Sequence, residues 1–286
     1  MDDGEAVLAE AVAAYGAALG PRLLAAYALG SLAHGGFSPL VSDVDLGLVL
    51  SDPPATDDPD RLRAVADAVK AAGSVLHQRL SVFWGTPAML RGEMAGGRFP
   101  PLDRLDLLEN GRLLAGEEVR AGLAAPDRDE LLVAGAEFAL DFLGPGHEAA
   151  GGESGLGSLA AAGEAVMEEI RHPERLVAQG PRHVTKIVLF PVRFLYTAAT
   201  GRVGTNAAAT AHHRADPAAP AQELVAAALR WRTDPPEDDQ WVVDLLRREL
   251  GPLYLHYLDD HITRLTDLKE LDLAAAFVRW RDRLAD

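Results

Sequence analysis

Apolar alternation of the kind a β-strand needs is confined to the first 116 residues of this chain, and from Asp129 onward every patterned stretch repeats with the period of a helix. That change of period asks for an α/β part followed by an all-helical part. Residues 5–19 are alanine-rich with helical period and stop at Gly20-Pro21. A short buried strand is predicted over 23–29, closed by Gly30. A second is predicted over 43–50, with Val44, Leu46, Leu48 and Leu50 on one face and Ser51-Asp52-Pro53-Pro54 ending it. Helix period returns at 59–72, and β-branched and aromatic residues predict a third strand over 75–84. A glycine-rich loop spans 92–97. Asn110-Gly111, a dipeptide suited to a tight turn with two positive-φ positions, predicts a hairpin across 104–116. Helices follow near 129–143, 155–172, 182–200, 204–213, 219–232, 238–263 and 268–285, with a glycine-rich loop over 144–157. The expected architecture is an α/β N-terminal domain, 1–116, built on a mixed sheet with flanking helices, and an all-α C-terminal domain, 117–286.

Charge narrows the possible partners. The net charge is −16, and no dense basic stripe interrupts it, so a nucleic-acid backbone would be repelled. Cationic small molecules or basic proteins are attracted instead. The most apolar stretch, Ile187–Leu195, contains Pro191 and Arg193, which argues against a membrane span. Met1-Asp2-Asp3-Gly4-Glu5 is acidic where a secretory signal is basic, and the absence of cysteine leaves no thiolate metal site. These features lead us to expect a cytoplasmic protein, monomeric or homodimeric.

Chemistry concentrates between Ala26 and Leu50. Gly30 lets backbone approach a phosphate closely, and Ser31 is placed to cap the following turn while its hydroxyl and nearby N–H groups face an anion. Asp43 and Asp45 are two apart on a predicted strand, so their carboxylates project from one face, about 6–7 Å apart at the backbone. Two hard oxygen ligands at that spacing suit Mg²⁺, which keeps several waters and bridges to substrate phosphates. The plainer alternative is an Asx-capped strand start beside a tight turn.

A second concentration lies on the helix predicted over 182–200, which has no acidic residue but carries Arg182, Lys186 and Arg193. Lys186 and Arg193 are seven apart and share a face suited to an anionic ligand. A basic helix bridging to acidic neighbours is the other reading of the same residues. Pro191 is expected to kink it. His34, His77, His183, His212 and His213 show no metal-ligand spacing, and Trp231, Trp241 and Trp280 are spaced as packing residues. Glu237-Asp238-Asp239 and Thr205-Asn206 are expected to cap helices.

The run Leu29-Gly30-Ser31-Leu32-Ala33-His34-Gly35-Gly36, followed by Ser42-Asp43-Val44-Asp45-Leu46, resembles the DNA polymerase β-like nucleotidyltransferases. Their signature is Gly-Ser, a spacer, then Asp-x-Asp on the next strand. Arg193-Phe194-Leu195-Tyr196-Thr197-Ala198-Ala199-Thr200-Gly201-Arg202 is similar to a run in the streptomycin and spectinomycin adenylyltransferases of that superfamily. The resemblance implies that Ser31 contacts the nucleotide phosphates, that Asp43 and Asp45 are catalytic and hold Mg²⁺, and that Arg193 reaches the triphosphate; Gly30 beside Ser31, and Lys186 on the face of Arg193, are expected to join the nucleotide site by their own placement. It implies AMP transfer from ATP to a hydroxyl of a small molecule, with the helical domain closing the active-site cleft. The pattern departs at three points. Ser81 stands where a third carboxylate is expected, with Asp103, Asp106 or Glu109 as substitutes from the next strand. Asn206 stands where a lysine is expected. The helix over 182–200 offers no carboxylate to a cationic aminoglycoside. A weakly catalytic nucleotide-sensing protein, or a transferase acting on proteins as in toxin–antitoxin relatives, therefore stays open.

Overall fold

The computed structural model describes residues 3–71, 73–144 and 166–285. The chain divides into two compact units, Met1–Pro126 and Asp127–Asp286.

The first unit opens with α1 (Asp3–Leu19), which Gly20 and Pro21 end. Its four-stranded sheet comprises β1 (Leu23–Leu29), β2 (Val44–Leu50), β3 (Leu80–Gly85) and β4 (Arg112–Gly116), in the order β3-β2-β1-β4. β1 runs antiparallel to β2 and β4, whereas β2 and β3 are parallel, so the sheet is mixed. A short helix α2 (Gly30–His34) and a loop join β1 to β2, and α3 (Asp58–Ala71) and α4 (Val75–Gln78) join β2 to β3. Between β3 and β4 come α5 (Pro87–Leu90) and α6 (Pro101–Asn110).

Strand alternation supplies two cores. Ala26, Ala28, Val44, Leu46, Leu48, Leu50, Leu80 and Val82 meet Leu8, Ala11 and Tyr15 of α1 and Leu62 of α3. The opposite face carries Ala25, Tyr27, Leu29 and Val49 against Leu90, Leu107, Phe83 and Phe99. Each fully buried leucine contributes about 1.5–3 kcal/mol by leaving water, which is what ties the strands to this register. Val119 and Leu123 join the second core, and the Val119 N–H donates to the Tyr27 hydroxyl at 3.0 Å. Residues 117–126, counted with the helical part on sequence, therefore pack in the first unit.

Two sequence expectations differ from the structure. The strand predicted over 75–84 begins only at Leu80, because residues 75–78 form a helical turn. His77 closes that turn: Nδ1 accepts the Ser74 N–H at 3.0 Å while Nε2 meets Glu10 of α1 at 2.8 Å. The hairpin predicted over 104–116 is instead α6 followed by β4, and β4 pairs with β1. Leu102, Leu105 and Leu108 recur at three-residue spacing after a Pro100-Pro101 start, and Asn110 Nδ2 donates back to Asp106 at 2.8 Å. Gly111 has φ −49°, so no positive-φ turn forms there.

The second unit is helical throughout its described residues: α7 (Arg128–Phe142), α8 (helical over 166–171), α9 (Pro173–Ala178), α10 (Pro181–Thr200), α11 (Asn206–Ala215), α12 (Gln222–Trp231), α13 (Asp239–Leu268) and α14 (Leu271–Ala285). α10 packs against α7, α11, α12 and α13. Tyr254, Tyr257, Phe277 and Trp280 are wholly buried, and the Tyr254 hydroxyl donates to the Ile187 carbonyl at 3.0 Å. α10 remains helical on both sides of Pro191, which is buried. The expected caps form: Thr205 accepts from the Ala208 N–H, and Asp238 from the Gln240 and Trp241 N–H groups. Residues 155–165 of the predicted helix 155–172, and 145–157 of the glycine-rich loop, lie outside the described residues. No helix among the described residues is long and apolar enough to cross a membrane.

Asp58, at the start of α3, is wholly buried, accepting from Arg22 Nη2 at 2.6 Å and from the Ala55 N–H at 2.7 Å. Replacing it with alanine strands both donors, at a cost of about 3 kcal/mol, because Arg22 keeps some contact with solvent. A fall of the first urea-unfolding midpoint in Asp58→Ala checks this.

Candidate functional site

The C-terminal end of β1 and the N-terminal ends of β2, β3 and β4 meet at one end of the sheet, a consequence of the mixed pairing. Leu29 pairs with Asp45 across β1 and β2, and Asp45 pairs with Ser81 across β2 and β3. Because alternate residues face opposite ways, Asp45 and Ser81 stand at the same level on the face that carries Leu29, Val49 and Phe83. Val44 and Leu46 fill the other core.

Gly30 follows β1 directly, with φ +59°. A Cβ at that position would lie 2.3 Å from Asp45 Oδ2, so the carboxylate occupies the space that any side chain would need. Positive φ and close approach both demand glycine here. The Gly30 N–H donates to Asp106 Oδ2 at 2.5 Å, while Asp106 Oδ1 accepts from Asn110. Asp106 is buried, and these two donors rather than water meet its carboxyl oxygens. Ser31 is the second residue of α2 and is half-buried.

Asp43 lies one residue ahead of β2 and is half-buried, as Asp45 is. The loop delivering it is folded on itself: the Ser42 N–H donates to the Ser38 carbonyl at 2.9 Å, and Ser42 Oγ accepts the Ser38 N–H at 3.0 Å. Arg79 clamps the same loop to the start of β3 through the Pro39 and Leu40 carbonyls, at 3.0 and 3.1 Å.

Gly30, Asp45 and Ser81 thus come together, with Asp43 and Ser31 adjacent in sequence. Of the three substitute acids, Asp106 reaches Gly30 from α6 rather than from a strand, Asp103 is half-buried on the same helix, and Glu109 is exposed. Among the described residues, no three His, Asp or Glu side chains gather as a metal-binding group. The carboxylate pair Asp43 and Asp45 still fits Mg²⁺ by its donor chemistry, since that ion takes one or two carboxylates and completes its shell with water and phosphate oxygens. Two contributors escaped the sequence reading: Asp106 as the partner of Gly30, and Arg79 as the loop clamp. The i,i+4 spacing of Asp106 and Asn110 within a leucine pattern was the available signal for the first.

In the second unit, Lys186 and Arg193 do share a face. Lys186 Nζ and the Arg193 guanidinium carbon lie 5.9 and 5.3 Å from the centre of the Phe190 ring. Arg193 Nε donates to the Gly204 carbonyl at 2.6 Å. Asn206 is the first residue of α11, next to its cap Thr205.

No family profile matches the chain, and no curated protein matches it by sequence. Among solved structures it is similar to a spectinomycin adenyltransferase from Enterococcus faecialis, solved with ATP and spectinomycin. The identity is 13%, the TM-score 0.48, and the match covers 86% of this chain and 98% of the other.

Gly30→Ala forces a methyl group against Asp45 and a left-handed conformation onto alanine, which alone costs about 1–2 kcal/mol. The expected outcome is a lower melting temperature together with displacement of Asp45. Calorimetric melting of the full chain reads the first, and a crystal structure of the variant reads the second.

Proposed function

We propose that the chain is a Mg²⁺-dependent nucleotidyltransferase of the DNA polymerase β-like kind, moving AMP from ATP to a hydroxyl of a small molecule. The observation that carries this reading is the packing of Gly30 against the Asp45 carboxylate, which supports a phosphate-binding turn directly beside a metal-binding acid. Asp43 and Asp45 would hold the ion, and Gly30 and Ser31 would receive the nucleotide phosphates; Lys186 and Arg193 form an anion-suited face of their own on the helical unit. When bound, Mg²⁺ neutralises phosphate charge and favours departure of pyrophosphate. The acceptor oxygen bonds to the α-phosphorus as the bond to the bridging oxygen breaks. Ser81 contributes no base beside Asp45, so catalysis relies on positioning, and the acceptor proton passes to water or to one of Asp103, Asp106 and Glu109. A net charge of −16 favours a cationic acceptor of the aminoglycoside kind.

A second reading, a nucleotide-binding protein with weak transfer, is favoured by Ser81 at the level of Asp45 and by the absence, among the described residues, of a three-acid group. General-base assistance contributes typically about 10²–10⁴-fold, the range that separates the two readings.

Titration calorimetry with ATP, with and without Mg²⁺, tests the site. Wild type is expected to bind ATP more tightly with the ion, and Asp43→Asn and Asp45→Asn each to lose that tightening while melting normally. Unchanged Mg²⁺ dependence in both variants removes the reading. Labelled ATP supplied with panels of aminoglycosides and other hydroxylated metabolites then separates transferase from binder.

A further inference from the structure

Four phenylalanines gather where α7 meets α10, and the two on α7 are left open to solvent. Phe138 and Phe142 are one helical turn apart, and their rings stack with centres 5.4 Å apart and planes inclined by 18°. Phe190 of α10 closes the group at 6.0 Å from Phe138 and 5.5 Å from Phe142, and Phe194 lies 6.0 Å from Phe138. Phe194 is buried, whereas Phe138 and Phe142 are 44% and 37% exposed. The core side of α7 is already supplied by Leu132, Ala136 and Leu140, on another side of the helix from the two rings. A contiguous exposed aromatic surface beside a filled core is a feature that packing alone does not require.

Positive charge stands at the edge of these rings. Lys186 Nζ and the Arg193 guanidinium carbon lie 5.9 and 5.3 Å from the centre of the Phe190 ring, the same ring that meets Phe138 and Phe142. The bond from Arg193 Nε to the Gly204 carbonyl keeps that guanidinium in place. One ring therefore joins a flat apolar surface to two cationic groups, over a span that a single nucleotide covers. A planar ring with an anionic tail matches both parts. Every base has a π-face to lay on an aromatic side chain, and phosphate oxygens suit the arginine fork.

We propose that Phe138 and Phe142 form a stacking platform for the base of a nucleotide, whose phosphates extend past Phe190 towards Lys186 and Arg193. The platform deepens the nucleotidyltransferase reading and rests on it for the identity of the ligand. Its residues all belong to α7 and α10, so it can be altered without touching the carboxylates of β2.

Adenosine, Mg·ATP and inorganic tripolyphosphate are the probes, titrated into the full chain by calorimetry, with melting curves as the control for folding. Wild type is expected to bind the first two. Phe142→Ala is expected to weaken both by about ten-fold, the loss of one stack between base and ring. Phe142→Tyr is expected to stay within two-fold of wild type, with Phe142→Leu closer to alanine than to tyrosine. Tripolyphosphate has no ring, and its behaviour is expected to be the same in wild type and every variant. That split between probes with and without a ring is a readout that simple loss of packing would not give. In Phe142→Trp, the added indole fluorescence is expected to be quenched by adenosine and Mg·ATP but not by tripolyphosphate. Adenosine and Mg·ATP binding within two-fold of wild type in folded Phe138→Ala and Phe142→Ala overturns the platform and leaves the carboxylate site standing. Equal losses of tripolyphosphate and Mg·ATP in Phe142→Ala overturn it too, as does failure of wild type to bind adenosine and Mg·ATP alike. Adenosine binding that depends on Phe142, in a protein that shows no Mg²⁺ dependence with ATP, supports the platform while the transferase reading fails.

Discussion

A missing side chain sets the geometry at the end of the sheet. The Asp45 carboxylate fills the volume beside Gly30, to the point that a methyl group there would meet an oxygen at 2.3 Å. The antiparallel register of β1 and β2 brings the two residues together, since Leu29 stands opposite Asp45. Asp106 then holds the same glycine from the other side through its N–H, which locates the end of α6 and the start of β4. Ser81 takes its level from the parallel register of β3 on β2. Loosening the contact between Gly30 and Asp45 would therefore unsettle β1, β2 and α6 together.

Much of this was readable from the chain alone, and the part that was not has a common cause. β1 and β2 announce themselves because both faces of each are packed, so apolar residues run through them and the turns beside them are rich in glycine and proline. Gly30, Ser31, Asp43 and Asp45 form a motif within one short stretch of sequence, so local reading reaches them. α4 was read as strand because Val75 and the residues around it have strand composition. The turn is capped locally by Ser74 with His77, and Glu10, 67 positions away, ties His77 to α1. α6 was read as half of a hairpin because Asn110-Gly111 matches a turn signal, although Gly111 ends a helix with an ordinary negative φ. Asp106 meets Gly30 across 76 positions, and Arg79 reaches Leu40 across 39. Such contacts belong to the tertiary fold, and neither spacing nor composition records them.

The charge distribution follows the same division between average and place. A chain with 43 acidic and 27 basic residues nevertheless keeps all acid off α10, where Lys186 and Arg193 lie against one phenylalanine ring. Cations over a ring face gain from its quadrupole without needing a carboxylate beside them.

Along β2, Val44, Leu46, Leu48 and Leu50 enter one core while Asp45 stands on the opposite face between them. Because the side-chain period of a strand is two, sliding β2 by a single position would drive the carboxylate into the leucine layer and turn the leucines out. The same hydrophobic layer that stabilises the sheet thus acts as a ruler for the acid.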